Sequence, residues 1–241
     1  MHPNLKTATV ALGLSLLGSV CAAQSAINTY SGSDDAADTS GPWTQSAAAE
    51  TSFGSAAAGF GSLQTLTFEA QALGMGGFTQ GNASVAISGS DYGNGFSGVS
   101  NTTFGNLYGF NVTSGGSQWL GAPAGSATFT FAGGTHAFGA YFTGLQTVFS
   151  GSSLMVVTFN DGTSQTLAVP VNANGGASYF GFTNTNAFSS VTLSNVSNDA
   201  WGVDNVSFTV TSVPEPGSMA LMVAGLAMVG AARRRRANRA L

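Results

Sequence analysis

Residues 154–169 read LMVVTFNDGTSQTLAV, two apolar runs on either side of Asp161-Gly162. The first run is rich in β-branched and aromatic residues, which is typical of a strand. Asp-Gly is a preferred sequence for a two-residue hairpin loop. The spacing predicts a hairpin that places Val156 opposite Leu167. This stretch therefore indicates an antiparallel β-protein.

The same alternation of short apolar runs with Gly, Asn and Ser turns continues over residues 62–212, and the chain contains 34 glycines. We expect one all-β domain there, a two-sheet antiparallel sandwich of jelly-roll type. The predicted strands are 64–70, 83–88, 107–112, 126–132, 136–143, 154–160, 163–169, 177–183, 188–194 and 202–210. The predicted core consists of phenylalanines, namely Phe129, Phe131, Phe138, Phe142, Phe159, Phe180, Phe182 and Phe208.

The residues before this domain divide into a leader and an arm. Lys6, the apolar stretch 10–20 and Cys21-Ala22-Ala23 have the pattern of a secretory signal peptide over residues 1–23, which predicts cleavage by signal peptidase after Ala23. Lipidation of Cys21 is the alternative, but Gly18 occupies the position where such signals usually carry Leu. Residues 24–61 are rich in Ser, Ala, Gly and Thr and predict a flexible arm, part of which docks through Trp43.

Charge is distributed very unevenly along the chain. Lys6 and five arginines at or after Arg233 are the only Lys and Arg residues, whereas all ten acidic residues lie between Asp34 and Glu215. Residues 24–217 therefore carry no cation and a formal charge of −10. A segment without cations cannot neutralise phosphates, so nucleic acid, nucleotides and anionic lipids are poor partners.

Residues 213–241 form a distinct C-terminal segment. It opens with Val213-Pro214-Glu215-Pro216, continues as an apolar run over 217–232, and ends in a basic tail, 233–241, that begins Arg233-Arg234-Arg235-Arg236. The prolines interrupt the preceding structure. The apolar run would form a helix of about 24 Å, short of the roughly 30 Å hydrocarbon core. The arginines would hold its far end in the cytoplasm.

The order of Pro-Glu-Pro motif (213–218), short transmembrane helix and arginine cluster resembles the PEP-CTERM sorting signal. The resemblance implies a Gram-negative bacterial protein that is exported, spends an intermediate stage in the inner membrane, and is recognised and cleaved near Glu215 by an exosortase. It also implies a final location in the cell envelope or outside the cell, often alongside exopolysaccharide machinery. An ordinary single-pass tail anchor is the alternative.

A second, looser resemblance concerns the two ends of the β-domain. Thr67-Phe68-Glu69 and residues 199–208 are similar to the opening and closing strands of secreted jelly-roll modules, including carbohydrate-binding modules. The resemblance implies that these strands lie side by side and that Glu69 lies near Asp204. Calcium prefers carboxylate and carbonyl oxygens, so we expect a structural calcium site with Glu69 and Asp204 as ligands. The alternative is that both are ordinary surface and turn carboxylates.

Catalytic options are few. His136 is the only histidine after the leader, and it has no recognisable nucleophile setting nearby in the sequence. Paired carboxylates for a glycan hydrolase could be drawn from Glu69, Asp91, Asp199 and Asp204, but no spacing singles out a pair.

These observations favour a non-enzymatic secreted or surface-displayed protein of the cell envelope or extracellular polymer matrix. A carbohydrate-binding module with extracellular polysaccharide as its partner is the alternative, and a glycan hydrolase ranks third. Stacking faces for a sugar would come from aromatic residues that could equally be buried, namely Trp43, Trp119, Trp201, Tyr92 and Tyr108.

Overall fold

The computed structural model describes residues 26–89, 96–150, 153–194 and 199–210, together with Met228. The predicted signal peptide, sorting motif and basic tail lie outside these residues, as does the predicted C-terminal helix apart from Met228. In chain order the elements are β1 (Ile27–Asp35), α1 (Thr44–Ala57), β2 (Ser62–Leu66), β3 (Gly77–Gln80), β4 (Ala83–Ser88), β5 (Gly98–Ser100), β6 (Trp119–Gly121), β7 (Ser126–Thr143), α2 (Thr147–Ser150), β8 (Ser153–Phe159), β9 (Ser164–Val169), β10 (Gly176–Ser194) and β11 (Gly202–Val210).

The strands form one eleven-stranded sheet along the path β5-β6-β11-β7-β10-β8-β9, with β1 added to β10, β2 to β11, and the β3–β4 pair to β7. Every strand pair is antiparallel, which confirms the all-β antiparallel class. The prediction of two separate sheets is wrong, because β7 and β10 are continuous through positions where turns were predicted. Gly133 and Gly134 have positive φ within β7 but do not reverse the chain. The jelly-roll type stays a prediction.

The pairing of β7 with β10 is irregular near the middle of the two strands. Its register shifts between Thr183 and Ser190 of β10, and aromatic rings around this irregularity meet. The Phe131 and Phe208 ring centroids are 5.1 Å apart, and those of Phe182 and Phe188 are 4.9 Å apart. All eight phenylalanines predicted for the core are buried in this cluster. The phenylalanine core is therefore confirmed.

A second hydrophobic layer covers the outer face of β7 and β10. Helix α1 buries Ala49, Phe53 and Ala57 there, positions spaced i, i+4 and i+8 on one helical face. Phe53 packs over Gly181, where an added Cβ would lie 2.7 Å from the ring. Phe53 also packs against Tyr179, with ring centroids 5.9 Å apart.

The flexible arm predicted for residues 24–61 is wrong for the described part of that segment. Strand β1 pairs with β10 along all nine of its residues, and α1 packs on the sheet. The predicted docking of Trp43 is confirmed, because its ring lies 6.0 Å from that of Phe110. Ser, Ala and Gly look weakly structured in a sequence, yet here they allow the helix and strand to approach closely. An added Cβ at Gly32 of β1 would lie 2.1 Å from the Gln45 carbonyl oxygen of α1.

The β8–β9 hairpin differs from its prediction by one residue. Met155, rather than Val156, lies opposite Leu167, because the loop contains three residues. The Gly162 amide donates to the Phe159 carbonyl at 3.0 Å, and Gly162 has φ +85°. A turn followed by a glycine in the left-handed region is the usual three-residue hairpin loop with a bulge.

Candidate functional site

A loop between β5 and β6, residues 101–118, occupies the segment where a strand at 107–112 was predicted. The described structure has no strand there, so that prediction is wrong. The loop is held by Asp204 of β11, which is fully buried. Asp204 Oδ2 accepts hydrogen bonds from the Val112 amide at 2.8 Å and the Thr113 amide at 3.1 Å. Its Oδ1 accepts one from the Asn205 amide at 2.7 Å.

The buried position of Asp204 determines its acidity. Burial raises the pKa of its carboxyl group to about 7, because the charged form loses its hydration. The hydrogen bonds from Val112, Asn205 and Thr113 act in the opposite direction and hold the pKa lower than burial alone would. Asp204 is therefore a loop anchor whose charge changes near neutral pH.

Glu69 anchors the same loop a few residues further along. Its Oε1 accepts hydrogen bonds from the Ser117 amide at 2.9 Å and the Gln118 amide at 2.8 Å. Gly116 permits this approach, since an added Cβ there would lie 2.3 Å from Glu69 Oε1. The two predicted ligands thus hold neighbouring turns of one loop.

The strands next to these two carboxylates are neighbours in the sheet, whereas the resemblance to jelly-roll modules stays a prediction. Leu66 of β2 pairs with Val206 of β11, so the strands that precede Glu69 and contain Asp204 lie side by side. Within the described ranges, no three His, Cys, Asp or Glu side chains form a group that could hold a metal ion. The calcium site stays a prediction.

Two of the predicted stacking tryptophans are buried. Trp119 of β6 is fully buried, and its ring packs directly against Gly109 and Gly202. A Cβ added to Gly109 would lie 2.1 Å from the Trp119 ring, and one added to Gly202 would lie 2.4 Å from it. The Trp119 indole nitrogen donates to the Thr102 carbonyl at 3.2 Å. Trp201 is also fully buried. Both belong to the framework, and Trp119 fixes the start of the loop.

A groove of about 540 Å³ lies over β5. The segment around Gly74 runs beside the strand, with the Val99 amide donating to the Met75 carbonyl at 3.0 Å and the Gly74 amide to the Val99 carbonyl at 2.8 Å. The other wall is the start of the 101–118 loop. The groove is lined by Leu73, Gly74, Ser97, Val99, Ser100, Asn101 and Thr102, none of which is charged.

Three aromatic rings cluster where the 101–118 loop begins. Phe96 immediately precedes the lining residue Ser97, and its ring lies 4.6 Å from that of Phe104 and 5.4 Å from that of Tyr108. Phe104 is 54% exposed and Tyr108 38% exposed. The sequence analysis identified Tyr108 and missed Phe104. A phenylalanine in the polar loop Asn101-Thr102-Thr103-Phe104 was the available signal.

The remaining predicted residues have other surroundings. His136 Nδ1 lies 3.1 Å from the Asn184 carbonyl oxygen, and its ring stacks on Phe60. Asp199 is buried, and its Oδ2 accepts a 2.7 Å hydrogen bond from the Gln146 amide. Asp91 and Tyr92 lie outside the described residues.

An ionisable pair that the sequence analysis did not predict lies under α1. The Tyr141 hydroxyl donates to Glu50 Oε2 at 2.7 Å. Burial, followed by this bond to Glu50, raises the pKa of Tyr141 far above its usual value. The pair ties the helix to β7.

Comparison with known proteins concerns the C-terminal segment. Residues 212–236 match the family described as the PEP-CTERM protein-sorting motif. No curated protein and no solved structure matches the chain. Among the described residues, no helix has the length and apolar character needed to span a membrane. The C-terminal segment therefore carries a PEP-CTERM protein-sorting motif, and this motif implies an exported protein that exosortase processes and that is sorted to the cell surface.

Proposed function

We propose that this chain is a non-enzymatic β-module that the sorting motif delivers to the cell envelope or the extracellular polymer matrix. The match of residues 212–236 to the sorting motif carries this proposal. In it, signal peptidase removes residues 1–23, the 217–232 helix holds an intermediate in the inner membrane, and exosortase acts near Pro214-Glu215-Pro216.

The described body of the protein suits such a role. Its sheet is buried on one side by a phenylalanine core and on part of the other by α1. The carboxylates of Asp204 and Glu69 bind backbone amides of one loop, which stabilises that loop and leaves its outer side free for contacts. A rigid body without Lys or Arg suits contact with uncharged polymers better than contact with anionic ones.

Cell fractionation tests the sorting part of the proposal. Replacing Pro214, Glu215 and Pro216 with alanine should leave unprocessed protein in the inner membrane, because helix and arginines remain while the recognition element is lost. Replacing Arg233–Arg236 with glutamine is the matched variant, and it should instead weaken retention of the helix. Normal processing and release of the Pro-Glu-Pro variant would contradict the exosortase step.

Carbohydrate binding is the second candidate function. Two observations favour it: the described residues that line the groove over β5 are uncharged, and the exposed Phe104 follows the lining residue Thr102 by two positions in the same loop. Among the described residues, those that line the groove offer amide and hydroxyl groups for binding and include no carboxylate of the kind that glycoside hydrolysis uses.

A further inference from the structure

We propose that the groove over β5 binds an uncharged oligosaccharide or polysaccharide chain, with Phe104 as the stacking surface and Asn101 and Thr102 as the hydrogen-bonding groups. This inference deepens the second candidate function and rests on it for its biological setting. The binding itself depends only on the groove.

The exposed ring is the first argument. A phenylalanine has no polar atom to satisfy in water, yet Phe104 leaves 54% of its surface accessible. Leu73, at the opposite wall, is 55% exposed. Leu73 lines the groove, and Phe104 follows the lining residue Thr102 by two positions in the loop that forms the other wall. Exposed apolar side chains on the walls of a groove are typical of ligand-binding surfaces. The C–H face of a sugar ring is an apolar surface of matching size, and it packs well on the face of an aromatic ring.

The polar lining is the second argument, and it selects the chemical class. Asn101 is exposed, whereas Ser97 and Thr102 are half-buried, so amide and hydroxyl groups offer both donors and acceptors. A purely apolar ligand would leave these groups without hydrogen bonds. An anionic ligand would need a cation, and residues 24–217 contain no Lys or Arg. A neutral, hydroxyl-rich ligand satisfies both conditions.

The groove is built before any ligand arrives, which is the third argument. Gly98 has φ +86°, and an added Cβ there would lie 2.7 Å from the Gly74 carbonyl oxygen, so only glycine lets this wall approach β5. The bond from the Trp119 indole to the Thr102 carbonyl holds the opposite wall. A preformed site lowers the entropy cost of binding. The volume of about 540 Å³ falls within the usual range for small-ligand sites, about 300–1,000 Å³.

Affinity electrophoresis of the full-length chain tests the proposal. The protein is run in native gels that contain hydroxyethylcellulose, arabinoxylan, galactomannan or dextran, with alginate as the anionic polymer. A polyoxyethylene detergent is used because it carries no sugar headgroup. We expect at least one neutral polymer to retard the parent chain. Phe104→Ala and Asn101→Ala should each weaken the apparent affinity about tenfold, as is usual for a residue at the centre of a binding surface.

Leu63→Ala supplies the matched control. Leu63 is 42% exposed on β2 and does not line the groove, so this variant should bind as the parent does. Thermal unfolding of each variant separates lost binding from lost folding, and Asn101 has an exposed side chain whose truncation should leave the melting temperature unchanged.

Three results would overturn the proposal. They are no retardation by any of the four neutral polymers, equal retardation of the parent, Phe104→Ala and Asn101→Ala, and stronger retardation by alginate than by every neutral polymer. Failure of the sorting step is read separately from cell fractionation, so a negative binding result leaves that part of the proposed function standing.

Discussion

The Val112 amide donates a 2.8 Å hydrogen bond to Asp204 Oδ2 and thereby joins the last strand to the long loop between β5 and β6. All the hydrogen-bond partners of this carboxyl group are uncharged: the amides of Val112, Thr113 and Asn205 and the Thr113 hydroxyl. The loop in turn forms one wall of the groove. The protonation state of Asp204 therefore affects the stability of this region.

We predict that this carboxyl group makes the folded state less stable as pH rises. Burial raises the pKa of Asp204 from 3.8 to about 7 in the folded state. Between these two values the folded state binds more protons than the unfolded state, so the free energy of unfolding falls as pH increases, by up to about 1.4 kcal/mol per pH unit. The stabilisation is complete below about pH 4 and is lost as pH passes through about 7.

Urea unfolding of the full-length chain in detergent at pH 4.5, 6.0 and 7.5 measures this slope. Asp204→Asn should be less stable than the parent at pH 4.5, because an amide nitrogen would face backbone N–H donors. Its stability should nevertheless change less with pH than that of the parent. Parallel pH profiles for the two proteins would show that a group other than Asp204 produces the slope.

The docking of α1 gives a second prediction. Gly181→Ala should destabilise the protein by about 1–3 kcal/mol, because the new methyl group must displace a packed ring. The added Cβ would lie 2.7 Å from Phe53 Cδ2. Thermal or urea unfolding measures the change.

Gly54→Ala on α1 is the matched control for that substitution. An added Cβ at Gly54 meets nothing within 4 Å, so alanine should stabilise the helix by about 0.5–1 kcal/mol. If both alanine variants changed stability in the same direction, backbone propensity rather than packing under Phe53 would explain them.

Sequence patterns predicted strands of the phenylalanine core much better than the N-terminal segment 24–61. Strands 83–88 and 202–210 agree with the structure residue for residue, because their alternating apolar residues contact one core. Helix α1 was missed because its buried face, Ser46, Ala49, Phe53 and Ala57, contains only one large apolar residue and so gives little hydrophobic signal. Its packing depends on the distant Gly139 and Gly181, which no local pattern reveals.

The groove could be predicted only in part, for a related reason. Tyr108 was recognised as a stacking candidate, but Trp119 was grouped with it although it is fully buried. Whether a tryptophan is buried depends on the residues that pack against it. The ring of Trp119 packs against Gly109 and Gly202, which no local sequence pattern around Trp119 identifies. Likewise, the register of the β8–β9 hairpin depends on whether one or both turn residues have positive φ, and Asp-Gly is compatible with either.

That hairpin supplies the third prediction. Gly162→Val should destabilise the protein by about 1–3 kcal/mol, because a β-branched residue must adopt a left-handed conformation. Gly162 has φ +85°, and no atom lies within 4 Å of an added Cβ, so conformation rather than a clash causes the loss. Gly162→Asn should cost clearly less, since asparagine tolerates this region. Equal thermal stability of the valine variant and the parent would contradict the loop as described.

The fourth prediction concerns calcium at Glu69 and Asp204. A segment with a formal charge of −10 and no cation repels itself on folding, and a bound dication would relieve that repulsion. Both carboxylate oxygens of Asp204 accept hydrogen bonds from backbone amides. In Glu69, by contrast, the Ser117 and Gln118 amides both donate to the same oxygen, Oε1. Calcium would therefore reach Glu69 Oε2 more easily, and at Asp204 it would have to displace an amide donor.

We expect millimolar calcium to raise the Tm of the full-length chain in detergent relative to its Tm in EDTA. At a hundredfold excess of calcium over Kd, binding to the folded state alone would add about 2.7 kcal/mol to the free energy of unfolding. Magnesium at equal ionic strength controls for screening. The rise should disappear in Glu69→Gln, which keeps an acceptor for the Ser117 amide, and shrink in Asp204→Asn. A Tm that calcium and magnesium change equally, or a calcium effect undiminished in both variants, would leave the two carboxylates as anchors of the loop and nothing more.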